Sequence, residues 1–174
     1  MTKHIFRYGT ISGAFLSIFL IIFALRQDET NQYAEIIGFS VMIVAFSTIY
    51  FAIKKQRDEL LGGSITFGKA FMTGLYISLV TSTIYVIAWM LANHFLFPDF
   101  MDRYCEAVTK KLQSSGASPD QIEKEMAKMK MMKEAYKNPF FRIMYTYLEI
   151  LPLGILLSLI LALVLKRKPK ISEK

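Results

Sequence analysis

The sequence predicts an all-α membrane protein: a four-helix transmembrane bundle with an extracytoplasmic helical hairpin between spans three and four. Three observations predict it. The 174 residues are 53% hydrophobic and only 20% charged, with a mean hydropathy of +0.36, more apolar surface than one soluble domain of that length can hide. Four runs each supply about the 20 mostly apolar residues that a spanning helix needs. Between the third and fourth runs lies a long polar segment with helix-start and turn signals of its own.

The spans are placed at about 8–25, 34–53, 70–97 and 143–165. Residues 8–25, 36–53 and 70–97 contain no charge, and 143–165 contains one, Glu149. A soluble bundle would show polar faces at helical spacing, whereas these runs are apolar all round. The N-terminus resembles a signal peptide, but its apolar run is long and no small-residue cleavage site follows. An uncleaved first helix is expected.

Charge placement predicts orientation. Lys3 and Arg7 precede span one. Lys54, Lys55, Arg57 and Lys69 lie between spans two and three, and Lys166, Arg167, Lys168, Lys170 and Lys174 follow span four. The first connection offers Arg26 against Asp28, Glu29 and Glu35. Both termini are therefore expected in the cytoplasm. The segment 98–142 carries nine basic residues against seven acidic ones, a near balance compatible with translocation. The net charge of +7 sits in clusters beside apolar runs, so the expected partner is the lipid bilayer and no nucleic acid.

The outer segment, about 98–140, divides at Ser114-Ser115-Gly116-Ala117, which reads as a turn. Before it, Met101, Tyr104, Cys105, Val108 and Leu112 fall on one helical face. After it, Ser118, Pro119 and Gln121 form a capping box with proline at N1. Ile122, Met126, Met129 and Tyr136 then mark an apolar stripe, ended by Asn138-Pro139. An antiparallel hairpin is expected, its stripes facing each other, the headgroups or a partner. Met126, Met129, Met131 and Met132 invite a Cu(I) reading, but Lys128, Lys130 and Lys133 surround them, and a flexible apolar stripe is expected instead. Cys105, the single cysteine, reads as a small apolar residue. It excludes an intramolecular disulfide, and no cofactor or metal is expected.

Helices in lipid associate through close packing of small residues. Span one offers Gly9, Gly13 and Ser17. Span three offers Ala70, Gly74, Ser78 and Ser82, and span four offers Gly154, Ser158 and Ala162. Span two offers only Ala34 and Gly38, so spans one, three and four are expected at closest contact.

Glu149 is the sharpest chemical feature, because ionisable groups inside a span usually face the bundle interior. Counted from Arg142 it lies about 10 Å along the axis, in the outer part of the span, with Pro152 bending the helix beyond it. An intramembrane polar pair of Glu149 with His94 is expected, with Asn93 and Arg142 at similar depth. Thr81, Ser82 and Thr83 are expected to bond to their own helix. Trp89, Tyr85, Tyr145, Tyr147 and Tyr50 are expected to anchor at the interfaces. Gly63 and Gly68 before Lys69 approach a phosphate-binding loop, but Ala70 stands where that loop needs a hydroxyl. A glycine turn, a cap at Ser64 or Thr66, and Lys69 in contact with headgroups are expected instead. His4 and His94 lie on opposite sides and cannot share a metal. No catalytic set converges, so no enzyme is expected.

The run Gly62-Gly63-Ser64-Ile65-Thr66-Phe67-Gly68-Lys69-Ala70-Phe71 resembles the signature of a bacterial family of small four-helix membrane proteins classified as a domain of unknown function. Phe97-Pro98-Asp99-Phe100, Lys137-Asn138-Pro139, and Glu149 with Pro152-Leu153-Gly154 extend the resemblance over nearly the whole chain. It implies a bacterial inner membrane and supplies no activity. The expected role is structural or accessory, through self-association or a membrane-protein partner. The alternative is a small ion- or proton-coupled transporter or channel subunit using Glu149.

Overall fold

The computed structural model describes residues 2–25 and 33–168. The charges at Arg26, Asp28, Glu29, Lys170 and Lys174 lie outside them. The described chain is helical: α1 (Thr2–Leu25), α2 (Ala34–Phe46), α3 (Thr48–Lys55), a π-helical turn (Gln56–Leu60), α4 (Phe67–Phe95), α5 (Phe100–Ser114), α6 (Pro119–Tyr136) and α7 (Pro139–Leu165). Four stretches are long and apolar enough to cross a membrane: Lys3–Leu25, Ile36–Leu60, Phe67–Phe95 and Pro139–Leu165. The chain is a multi-pass membrane protein.

Span four begins about a turn earlier than its charges suggest. Asn138 caps α7, its side chain accepting from the Phe140 N–H at 2.9 Å, with Pro139 in the first turn. A cap, not the charge of Arg142, sets where this helix starts. Span two is α2 and α3 joined at Ser47. There Ser47 Oγ donates to the Val44 carbonyl at 2.6 Å and Thr48 Oγ1 to that of Ala45 at 3.0 Å. Hydroxyls bonding back to carbonyls compete with the helical ladder and bend it.

α4 is the central helix, packed on α1 to one side and α7 to the other. Glycines set these approaches. A methyl added at Gly9 would lie 2.7 Å from Val80 Cβ, and one at Gly13 would lie 2.8 Å from Ile84 Cβ. One at Gly74 would meet Ser158, and one at Gly154 would meet Ser78, each at 2.7 Å. Ser78 and Ser158 are fully buried and 3.2 Å apart between their hydroxyls. Ser17 is buried, with its hydroxyl on the Gly13 carbonyl at 2.7 Å. Ala162 is buried, as are Ser82 and Ala70.

Span two is not peripheral, despite its few small residues. Phe46, Ile49 and Ile53 are fully buried. Phe46 Cζ lies 2.9 Å from a Cβ built on Gly154, and Ile49 Cγ2 lies 3.0 Å from one built on Gly74. The small residues of α4 and α7 thus also leave the notches that large side chains of span two fill. The bundle's outward faces are apolar, as at Ile11, Phe15 and Ile18 of α1 and Ile36, Phe39 and Ile43 of α2.

At the end of the bundle away from α5 and α6, Gly62 and Gly63 take φ of 62° and 86°, conformations that cost glycine little. The chain then pairs Ile65 with Arg167 through two backbone hydrogen bonds, 3.0 and 2.9 Å. This clasp ties the turn to the end of α7. Beside it Gln56 is buried and accepts from Thr73 Oγ1 at 2.5 Å.

Candidate functional site

The segment between spans three and four forms an antiparallel hairpin. α6 starts at the capping box: Ser118 Oγ accepts from the Gln121 N–H at 3.3 Å, and Gln121 Oε1 from the Ser118 N–H at 3.0 Å. Gly116, at φ 74°, makes the turn. Across the hairpin Lys133 pairs with Asp102, and Thr109 Oγ1 donates to Met126 Sδ at 2.8 Å. The hydrogen bond to Asp102 holds the Lys133 ammonium above its ordinary range. The two apolar stripes face each other, with Met101, Met129 and Tyr136 buried. Of the methionines, Met126 is bonded to Thr109, Met129 is buried and Met131 is 67% exposed.

The base of the hairpin is where polar chemistry concentrates. Trp89, Ala92, Phe97, Met101 and Tyr136 form a buried cluster, joined by Leu20, Ile21 and Ala24 of α1. Trp89 Nε1 donates to the Tyr136 hydroxyl at 2.7 Å, and the Phe100 ring meets the indole edge-on at 4.8 Å. Trp89 and Tyr85 are therefore core residues and not interfacial anchors. The hairpin covers the end of span three, and a tryptophan there finds its hydrogen-bond partner in protein. Burial pushes the Tyr136 phenol above its ordinary value. Asn93 Nδ2 donates to the Phe97 carbonyl at 3.1 Å, while its Oδ1 accepts from Arg142 Nη1. The Arg142 guanidinium stands 5.6 Å from the Tyr136 ring centre, and its Nε is buried without a hydrogen bond among the described residues. One asparagine and one arginine thus fasten the end of α4 to the start of α7.

The structure does not bring Glu149 and His94 together. The Asn93–Arg142 bond sets His94 level with the first turns of α7, and Glu149 lies seven residues further on, about 10 Å away along the axis. His94 is exposed, its ring edge-on to Phe95 at 4.6 Å. Glu149 is also exposed, on the outside of the bundle, with no hydrogen bond or ion pair among the described residues. Because α7 begins at Pro139, Glu149 is three residues from the middle of that 27-residue helix, about 5 Å, and nearer mid-depth than the sequence suggested. A carboxylate at the centre of a span costs about 2.5–3.5 kcal/mol on insertion scales.

The span-three hydroxyls take different routes. Thr81 Oγ1 crosses to the Gly9 carbonyl of α1 at 3.2 Å. Thr83 Oγ1 bonds its own helix at Leu79 O and also the Tyr147 hydroxyl, each at 2.8 Å. Ser82 Oγ is buried without a hydrogen-bond partner among the described residues. Thr81 and Ser82 face inward and Glu149 faces outward, so they do not line one path. Thr66 is the cap of α4, accepting from the Lys69 N–H at 3.4 Å, and Lys69 is exposed at the clasped end. Two polar contacts escaped sequence reasoning. One is Ser12 with the Ala45 carbonyl at 2.8 Å and with Thr48 at 2.5 Å; the other is Gln56 with Thr73. Their signal was a polar side chain inside or just beyond an apolar run, at a depth shared by another.

No curated protein and no solved structure matches the chain. Residues 7–167 match the model of a family described as "Protein of unknown function (DUF4199)". With that match running from the first turns of α1 to the clasp at Arg167, the chain belongs to the DUF4199 family.

Proposed function

We propose that the chain is a non-enzymatic structural or accessory membrane protein that acts through protein–protein contact, with the α5–α6 hairpin as the contact surface. The observation that carries this reading is the hairpin's construction. Joining two neighbouring antiparallel helices takes about 2–8 residues. Here α4 and α7 are instead joined by two further helices, the second started by a capping box, whose base is buried against both spans. That surplus structure presents a charged surface with Met131 exposed at its side. The basic residues at the clasped end, Lys54, Lys69, Lys166 and Arg167 among them, support a cytoplasmic location for that end and contact of Lys69 with lipid headgroups. The hairpin then faces the opposite side of a bacterial inner membrane.

Photo-crosslinking in cells from positions 130 and 131 tests this. The expected result is a discrete protein adduct from both positions. Adducts to lipid alone would overturn the hairpin's role. A cysteine at Ser115, in a Cys105→Ser background, should react with a membrane-impermeant reagent in spheroplasts. Labelling only in inverted vesicles would reverse the orientation.

A further inference from the structure

We propose that the face of α7 carrying Glu149 is an interface with a second copy of this chain. The argument starts from two polar groups on one exposed turn. Glu149 is exposed on the flank of α7 near mid-depth, with no hydrogen bond or ion pair among the described residues. Pro152 has no N–H to give the Leu148 carbonyl one turn earlier, and Leu148 and Pro152 are exposed on the same side. Hydrocarbon offers the carboxyl no partner, and a polar group left unsatisfied there is costly. Several polar side chains elsewhere in the spans bond to protein, as at Ser12 with Ala45, Thr73 with Gln56, Thr81 with Gly9 and Ser78 with Ser158. The exposed face of α1, along Ile11, Phe15, Ile18 and Ile22, carries large apolar side chains that lipid solvates.

A second copy meets the requirement with nothing added. A carboxyl in its neutral form carries one O–H donor as well as acceptor oxygens, so it complements either another carboxyl or a free backbone carbonyl. Two copies inserted in the same orientation hold Glu149 and Leu148 at the same depth. A two-fold axis along the membrane normal then brings each Glu149 against the other copy's Glu149–Leu148 turn. The contact is isologous, the commonest form of oligomer interface. Tyr145, Leu148 and Leu156, all exposed, supply the apolar contact around it. No charge transfer and no third component are needed.

The test uses the full chain in liposomes. Subunit number is read by single-molecule photobleaching over a dilution series in lipid, for the wild type, Glu149→Gln and Glu149→Leu. The glutamine keeps a donor and an acceptor and should dimerise like the wild type. The leucine keeps neither and should weaken association about tenfold, the size of a strong interhelical hydrogen bond. In a Cys105→Ser background that retains Glu149, Leu148→Cys should give an oxidative crosslink between two copies, and Ile11→Cys should not. A monomer at every dilution, unchanged association in Glu149→Leu, or a crosslink from position 11 but not from 148 would each overturn the proposal. A crosslink from position 148 to a different protein would also overturn it. The hairpin's role is read from positions 130 and 131, so the two proposals fail independently.

Discussion

Replacing Gly154 by alanine should loosen the α4–α7 contact, and the structure gives the size of the effect. The added methyl would lie 2.7 Å from Ser78 Oγ, 2.8 Å from Ser78 Cβ and 2.9 Å from Phe46 Cζ, all below the 3.0 Å that real Cβ contacts respect. None of these neighbours gives way easily. Ser78 Oγ is held by the Gly74 carbonyl at 2.9 Å, and Ser78 and Phe46 are fully buried. The helices must part, at an overpacking cost of about 1–3 kcal/mol. They also lose the Ser78–Ser158 bond, worth about 0.6 kcal/mol for an interhelical contact in lipid. Alanine's helix propensity returns up to about 1 kcal/mol. The net loss is about 1–2.5 kcal/mol, or about 3–8 °C in melting temperature for a chain of this size. Gly38→Ala is the control: nothing lies within 4 Å of its added methyl, so only the propensity gain remains. Both variants would be unfolded with SDS in mixed micelles, following the fluorescence of Trp89, the single tryptophan. The reasoning is refuted if Gly154→Ala is as stable as Gly38→Ala.

Trp89→Phe should strand the buried Tyr136 hydroxyl, lowering stability by about 1–3 kcal/mol; hydrogen exchange should quicken in α5 and α6 more than in α4, and uniform quickening would refute the local role. Ser118→Ala should cost about 1 kcal/mol, confined to the first turn of α6, and exchange measured across the hairpin checks that confinement. Because burial raises the Tyr136 phenol's pKa in the fold, the folded and unfolded chains bind the same proton below pH about 10, and the unfolded chain releases it first above that. Stability should therefore fall as pH rises past about 10, and Tyr136→Phe should flatten that slope in unfolding midpoints taken across the range.

What sequence could reach was set by whether the signal is local. The capping box at Ser118, the turn at Gly116 and the four apolar runs each depend on a few adjacent residues, and each is where it was read; Asn138-Pro139 was read as the end of α6 and also starts α7. Of the small-residue stripes, Gly9, Gly13, Gly74 and Gly154 stand where an added Cβ would lie 2.7–2.8 Å from a neighbouring helix's side chain. Partnerships were not legible. Whether Asn93 or His94 meets Arg142 depends on the rotation of α4, one residue being 100° from the next on a helix of 3.6 residues per turn. Glu149 was misplaced for a related reason: its depth was counted from Arg142, which lies inside α7 and not at its edge. Trp89 was read as an anchor because composition places tryptophan at interfaces, whereas the hairpin's fold over the end of α4 is a tertiary fact.

The hairpin and the bundle are mechanically one object at the α4–α7 pair. α5 follows α4 after residues 96–99, and α6 precedes α7 by residues 137–138, too little chain at either joint for free rotation. Two hydrogen bonds also tie α4 to the elements after the hairpin turn. Trp89 of α4 holds Tyr136 at the end of α6, and Asn93 of α4 holds Arg142 at the start of α7. A force on the hairpin therefore reaches α7 through its first two turns, and Glu149 lies on the next turn of that helix. A partner on the hairpin and a second copy on the Glu149 face would load the same element from its end and from its side. α1 joins the cluster at the hairpin's base through the apolar side chains of Leu20, Ile21 and Ala24 and would move least.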